Sequence, residues 1–238
     1  MSSCLTRRSR QVSGTIIISG SHADTTADMS AYHELVDIGL PLVLVNGYSP
    51  AIAVPHISDD DMSAMDQAVA HLVGFSHEHL GLAVGPRRYV PVQRKEQGLR
   101  TVMDRRLDRR GRISISNTVF SVDGGARAAV DLLSQGASAI ICGSDLMALG
   151  AIRAARAQGL TVPRDVSVIG CDDSALMRYT DPPLTSLRQD VELISTMAVQ
   201  SLMGLIHGDA AFLGERLVRP ELVIRGTTAP ARVSTANP

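Results

Sequence analysis

Short β-branched or apolar runs alternate along this chain with longer stretches of helical period, and few folds accommodate that alternation. The runs are Thr15–Ile18, Pro41–Val45, Leu80–Val84, Ala139–Cys142 and Val166–Ile169. They are apolar nearly throughout, so they read as strands covered on both faces, as in a parallel sheet. Between them the periodicity predicts helices over Met62–Val73, Gly125–Leu133, Leu146–Gln158 and Val191–Ile206. Met65, Val69 and Leu72 share one face of the first of these. Gly39 before Pro41, Gly136 after Leu133 and Gly159 before Pro163 stand where helices should stop. Strands and helices in this order predict an α/β fold with parallel sheets flanked by helices.

At 238 residues, 45% of them hydrophobic, the chain can bury a large core in one domain or two lobes. Its formal net charge of -1 supplies no overall field toward DNA or an anionic membrane. The basic stretch Arg105–Arg112 falls between a helix end and the next strand, and reads as a solvated helix terminus. No apolar stretch approaches the length of a membrane span, and the first residues lack the apolar core of a signal peptide. A cytoplasmic protein is therefore expected. Cys4, Cys142 and Cys171 are scattered and form no zinc-ligand spacing. The latter two are expected to be buried, inert thiols. The final residues, Ala229–Pro238, look like a frayed tail.

Two loops stand at strand ends. Ile140–Asp145 runs from a strand into a helix, and Val168–Ser174 leaves the next strand. In open parallel sheets, ligands bind beyond the carboxyl ends of the strands. Asp145, and Asp172 with Asp173, are thus placed where a ligand can reach them. A carboxylate accepts two hydrogen bonds in fixed geometry, which suits the paired hydroxyls of a sugar. Asp145 is equally placed to cap its helix, and Asp172 and Asp173 are expected to divide a binding task and a turn task between them. Enzyme motifs are missing: there is no G-x-S-x-G elbow, no phosphate loop and no H-E-x-x-H. His77-Glu78-His79 has no further ligands signalled, so neither metal nor cofactor is expected and these histidines are read as structural.

The stretch Ser144–Gln189, SDLMALGAIRAARAQGLTVPRDVSVIGCDDSALMRYTDPPLTSLRQ, resembles the lactose/galactose-repressor (LacI/GalR) family of bacterial transcription regulators. The family's phrases appear as Asp145-Leu-Met-Ala-Leu-Gly150, Asp165-Val-Ser-Val-Ile-Gly170, Asp172-Asp173 and Pro182-Pro-Leu-Thr185. Asp60 with His71-Leu72, the segment His77–Pro86, the strand ending at Asn46 and the stretch Pro220–Arg225 extend the resemblance over nearly the whole chain.

The resemblance implies a two-lobed periplasmic-binding-protein-like core, with lobe 1 about 14–84 and 190–210 and lobe 2 about 85–188 and 214–228. A small effector, expected to be a mono- or disaccharide, sits between the lobes, and the protein acts as a homodimer. By position, Asp172 is the effector-hydroxyl acceptor, Ser144 is a polar contact, and Phe120 stands where an aromatic stacks on the sugar, a buried core side chain being the equal alternative. A family arginine falls on Lys95, beside Arg94, and either is a candidate effector contact. Cys171 stands where the family commonly carries an aromatic. Leu5-Thr-Arg-Arg resembles the end of the family's second helix. The DNA-reading helix-turn-helix and the core's first strand–helix–strand are thus expected to be absent here, leaving an incomplete first lobe, a marginally stable chain and operator contact only through the missing part. An exported sugar-binding protein of a transport system shares the fold and is the alternative. A dinucleotide- or flavin-dependent enzyme ranks below both.

Overall fold

The computed structural model describes residues 12–108, 110–209 and 212–232. Cys4 and the Leu5–Arg8 segment lie outside them. The chain divides into two compact units, each built on its own sheet.

The first unit takes the chain up to Asp60, Arg88–Pro91 and Asp190–Val218. Its sheet is parallel throughout, in the order β1 (Thr15–Ile18), β2 (Leu42–Val45), β3 (His56–Asp59), β9 (Glu215–Val218). Alternation along β2 splits its side chains between two cores. Leu42 and Leu44 join Tyr32 of α1 (Ser30–Asp37) with Ile52 and Val54. Val43 and Val45 join Ile194 and Ala198 of α6 (Val191–His207). Asp190 starts α6 by accepting a hydrogen bond from the Leu193 amide at 2.9 Å, and Gly208 ends it in the left-handed region. Ile18, and Val199, Met203 and Ile206 along one side of α6, remain exposed.

The second unit holds Asp61–Arg87, Val92–Gln189 and the chain from Arg219 on. Its six strands run in the order β10 (Glu221–Val223), β8 (Thr185–Arg188), β7 (Ser167–Asp172), β6 (Ala139–Cys142), β4 (His79–Val84), β5 (Arg112–Asn117). All pairs are parallel except β10 with β8. Its helices are α2 (Asp61–Gly74), α3 (Val90–Leu107, which begins in the first unit), α4 (Val122–Ser134) and α5 (Asp145–Ala157).

This division differs from the expected boundaries. Residues 61–84 belong to the second unit, because β4 lies inside its sheet, paired along its length with β5 and over Leu80–Ala83 with β6. Conversely, Glu215–Val218 belongs to the first, because it pairs residue for residue with His56–Asp59. Only β10, further on, closes the second sheet.

Helices α4 and α5 pack against each other through small residues. Ala128, Ala129, Ala148, Ala151 and Ala155 are fully buried between Leu132, Ile140 and Val168. Gly125 and Gly150 set the spacing: a methyl group on Gly150 would lie 1.9 Å from the Val122 carbonyl oxygen, and one on Gly125 2.1 Å from that of Met147.

Buried histidines tie loops to strand ends. His77 joins its Nδ1 to the Ser138 hydroxyl at 2.9 Å, and its Nε2 to the Ser167 hydroxyl at 3.1 Å and the Ala229 carbonyl at 3.0 Å. Part of the expected frayed tail is therefore fixed. The Ala229 amide donates to Ser167 and the Ala231 amide to the Phe75 carbonyl, while Arg232 pairs with Asp165. Residues 233–238 lie outside the described residues.

Two predictions follow from this packing. Gly150→Ala must push α4 and α5 apart, so it should cost about 1–3 kcal/mol and lower the melting temperature by several degrees. Unchanged melting would contradict the close helix contact. Burial lowers the pKa of His22 to about 4, opposed by its hydrogen bond with Val45 and assisted by His56, and burial also lowers His56 and His77. The unfolded chain takes up these protons first on acidification. The stability contributed above pH 6.5 is thus lost progressively toward pH 4, and melting temperature should fall over that window. A flat profile between pH 7 and 5 would contradict it.

Candidate functional site

The order of the second unit's sheet creates a switch point. From β4 the chain moves outward to β5, then returns to β6 on the opposite side and continues to β7 and β8. Beyond the carboxyl ends of β4 and β6 the connections part, which is where open sheets of this kind bind ligands.

Both strands are followed there by glycine, and the Phe120 ring lies over the pair. A methyl group on Gly85 would stand 2.0 Å from the ring, and one on Gly143 3.2 Å from it. Phe120 is nevertheless 46% exposed, so it is no core side chain: it presents an apolar face at the switch point. Beside it, Asn117 at the end of β5 donates from Nδ2 to the Gly85 carbonyl at 3.0 Å and to Glu96 Oε1 at 3.1 Å. Glu96, buried on α3, faces Arg87 at 3.2 Å with its other oxygen.

On the other side of Phe120, Ser144 caps α5, its hydroxyl accepting from the Met147 amide at 3.3 Å, and stays half-buried. Asp145 behaves differently from both expectations for it. It is 1% exposed; Oδ2 accepts from the amide and the hydroxyl of Ser174, both at 2.7 Å, and Oδ1 from the Ser186 hydroxyl at 2.6 Å. The cap belongs to Ser144, and the Asp145 carboxylate points inward to bind the β7–β8 loop. Lys95 also departs from the expected effector contact. It is buried and ion-paired with Asp61 at the start of α2. Arg94 is half-buried on the same helix.

Asp172 and Asp173 close the row. Both have positive φ, 113° and 54°, a backbone state that costs free energy in non-glycine residues and concentrates at functional sites. The Asp173 side chain is 2% exposed and accepts from Arg225 Nη1 at 2.6 Å and Arg188 Nε at 2.9 Å. Burial opposes its ionisation, but the hydrogen bonds from Arg225 and Arg188 prevail and hold its carboxyl below the usual range. Asp172 is exposed, its Oδ1 accepting from Gln189 Nε2 at 2.9 Å. One aspartate thus braces the turn while its neighbour faces outward.

Cys171 is buried and offers no stacking surface, and burial pushes the Cys142 thiol up, so it stays protonated. His77 and His79 hydrogen-bond to serines, and no group of metal-ligating side chains occurs among the described residues. Asn117, Glu96 and Gln189 were not singled out from the sequence. Only Gln189, the last residue before the Asp190 cap, sat at a recognisable boundary. In the first unit, Asn46 follows β2 and donates to the Ser19 hydroxyl at 2.7 Å; both residues have positive φ.

A family model for the periplasmic binding protein-like domain matches residues 69–228. The HTH-type transcriptional regulator MalR of Streptomyces coelicolor is 48% identical over 226 residues, covering 93% of this chain and 66% of MalR. The chain thus spans just under two thirds of that relative. A solved LacI-family transcriptional regulator from Enterococcus faecium with bound ribose has a TM-score of 0.85 at 23% identity, over 97% of this chain and 85% of its own, a likeness of fold alone. The complex of the transcriptional regulator CelR with cellobiose has a TM-score of 0.81 at 26% identity, over 92% of this chain and 66% of its own.

The two aspartates should separate by substitution. Asp173→Ala leaves Arg225, whose side chain is 13% exposed, without its carboxylate, and should cost about 3–5 kcal/mol in a melt. Asp172→Ala, at an exposed position, should stay within about 0.5 kcal/mol of the parent. Equal losses would contradict the division of tasks.

Proposed function

Because the chain belongs to the periplasmic-binding-protein-like domain family, as the effector-binding core of a lactose/galactose-repressor-type regulator, we propose that it senses a small sugar at the carboxyl edge of its second unit's sheet. The observation that carries this proposal is the pairing of an outward carboxylate on a strained strand end, Asp172, with an exposed ring on the switch point, Phe120. Asp172 accepts hydroxyl protons, Phe120 covers an apolar sugar face, and the half-buried Ser144 hydroxyl stands between them.

Binding, rather than catalysis, is the role. Sugar occupancy shifts the population of states of a cytoplasmic homodimer, and DNA is read by a helix-turn-helix outside this sequence. The cellobiose of CelR supports a sugar as the ligand. The transport-protein alternative is not favoured, since the relatives are regulators. No helix among the described residues is long and apolar enough to cross a membrane.

The test is a melting-temperature panel of sugars. At a concentration near a hundred times its dissociation constant, the effector adds about 2.7 kcal/mol, a rise of about 5–10 °C for a chain of this size. One sugar should produce that rise, and Asp172→Ala should abolish it while melting normally by itself. No rise with any sugar, or a rise that survives Asp172→Ala, would contradict the proposal.

A further inference from the structure

The row of polar groups beyond the sheet is longer than one sugar ring. Asn117 and the Glu96 it holds stand at the end of β5, and Asp172 at the end of β7. In the order β5, β4, β6, β7 these ends lie three inter-strand spacings apart, about 14 Å. Phe120 lies between them, over the ends of β4 and β6. A single pyranose ring is little wider than one spacing, so a ring held at Asp172 leaves the β5 end unfilled.

Glu96 has the character of a ligand acceptor rather than a brace. Asp173, the bracing carboxylate, is held by two arginines whose side chains are 13% and 44% exposed. Glu96 is also buried, its side chain 7% exposed, yet its Oε2 pairs with Arg87, whose side chain is 77% exposed. Such an arm reaching in from solvent holds a carboxylate weakly and is readily exchanged for another donor. Asn117, bonded to Oε1 and to the Gly85 carbonyl together, fixes the carboxylate's orientation meanwhile.

We infer that the effector is a glycoside of at least two rings, held at one end by Asp172 and at the other by Glu96, whose Oε2 exchanges Arg87 for a sugar hydroxyl. This rests on the sugar-sensing role proposed above and extends it to ligand size. Carboxylates at both ends favour a ligand without phosphate or carboxylate groups of its own. Glu96 is then a specificity-determining residue: it selects two-ring ligands over one-ring ligands.

Calorimetric titration of the protein with cellobiose, maltose, lactose, trehalose, glucose and ribose tests this, using the parent, Glu96→Gln and Arg87→Ala. A disaccharide should bind at least about tenfold more tightly than either monosaccharide, as expected of one extra hydrogen bond to a charged group. Glu96→Gln should erase that preference and leave monosaccharide affinity within about twofold, a selectivity change that a folding defect does not mimic. Arg87→Ala, at an exposed position, should keep the preference. Monosaccharides binding as tightly as every disaccharide would overturn the inference while leaving sugar sensing intact. So would an Arg87→Ala loss equal to that of Glu96→Gln, which would make the ion pair a brace. No binding of any sugar to the parent would remove the sugar-sensing role and this inference with it.

Discussion

Leu80–Ala83 of β4 pair in parallel register with Ala139–Cys142 of β6, and beyond the last pair the chain leaves the two strands in opposite directions. A ligand site at the carboxyl edge depends on that ladder. It brings Gly85 and Gly143 side by side, where a methyl group would collide with the Phe120 ring at Gly85 and crowd it at Gly143. It also sets α5 directly after β6, so that Ser144 caps the helix at the rim and Asp145 turns beneath it. The packing of α4 on α5 through glycine and alanine holds these loops to a rigid support. Sites carried on rigid elements keep their geometry better than sites on free loops.

Beneath the rim lies a layer of satisfied charge. Asp145 takes three hydrogen bonds from Ser174 and Ser186, and Asp173 takes two arginines. Both fasten the segment after β7, where two successive residues have positive φ. The strain in that segment needs such fastening, because an unbraced loop would relax to an ordinary backbone state. Asp172 is the outcome: an acceptor held outward by groups that themselves stay buried. Lys95 with Asp61 fastens α3 to α2 in the same manner.

Elements whose hydrophobic pattern is strong were legible in the sequence. Thr15–Ile18 and Ala139–Cys142 are strands at the expected residues, and the ends of helices α2, α4, α5 and α6 lie within three residues of the expected ones. Strands such as His56–Asp59, Arg112–Asn117 and Thr185–Arg188 were not singled out, since polar residues fill half or more of their positions. The charged helix α3 announced only its basic end. The placement of β4 was invisible for a different reason: burial on both faces marks an interior strand but not which sheet contains it. Similarly, position at a strand end did not reveal which way Asp145 and Lys95 point. Their directions are set by Ser174, Ser186 and Asp61, which lie 29, 41 and 34 residues away. The turn at Asp172-Asp173 was legible at its strand end, but Arg188 and Arg225, which brace Asp173, lie 15 and 52 residues away.

Amide hydrogen exchange on the protein with and without a saturating sugar reports where a ligand orders the backbone, and so whether the carboxyl edge of the second sheet is the sugar site. Protection gained on binding in the second unit should concentrate in the four strand-end segments, 84–87, 117–121, 143–147 and 172–175. Protection in that unit confined to the amino ends of its strands, or spread evenly over its helices with those segments unchanged, would contradict it.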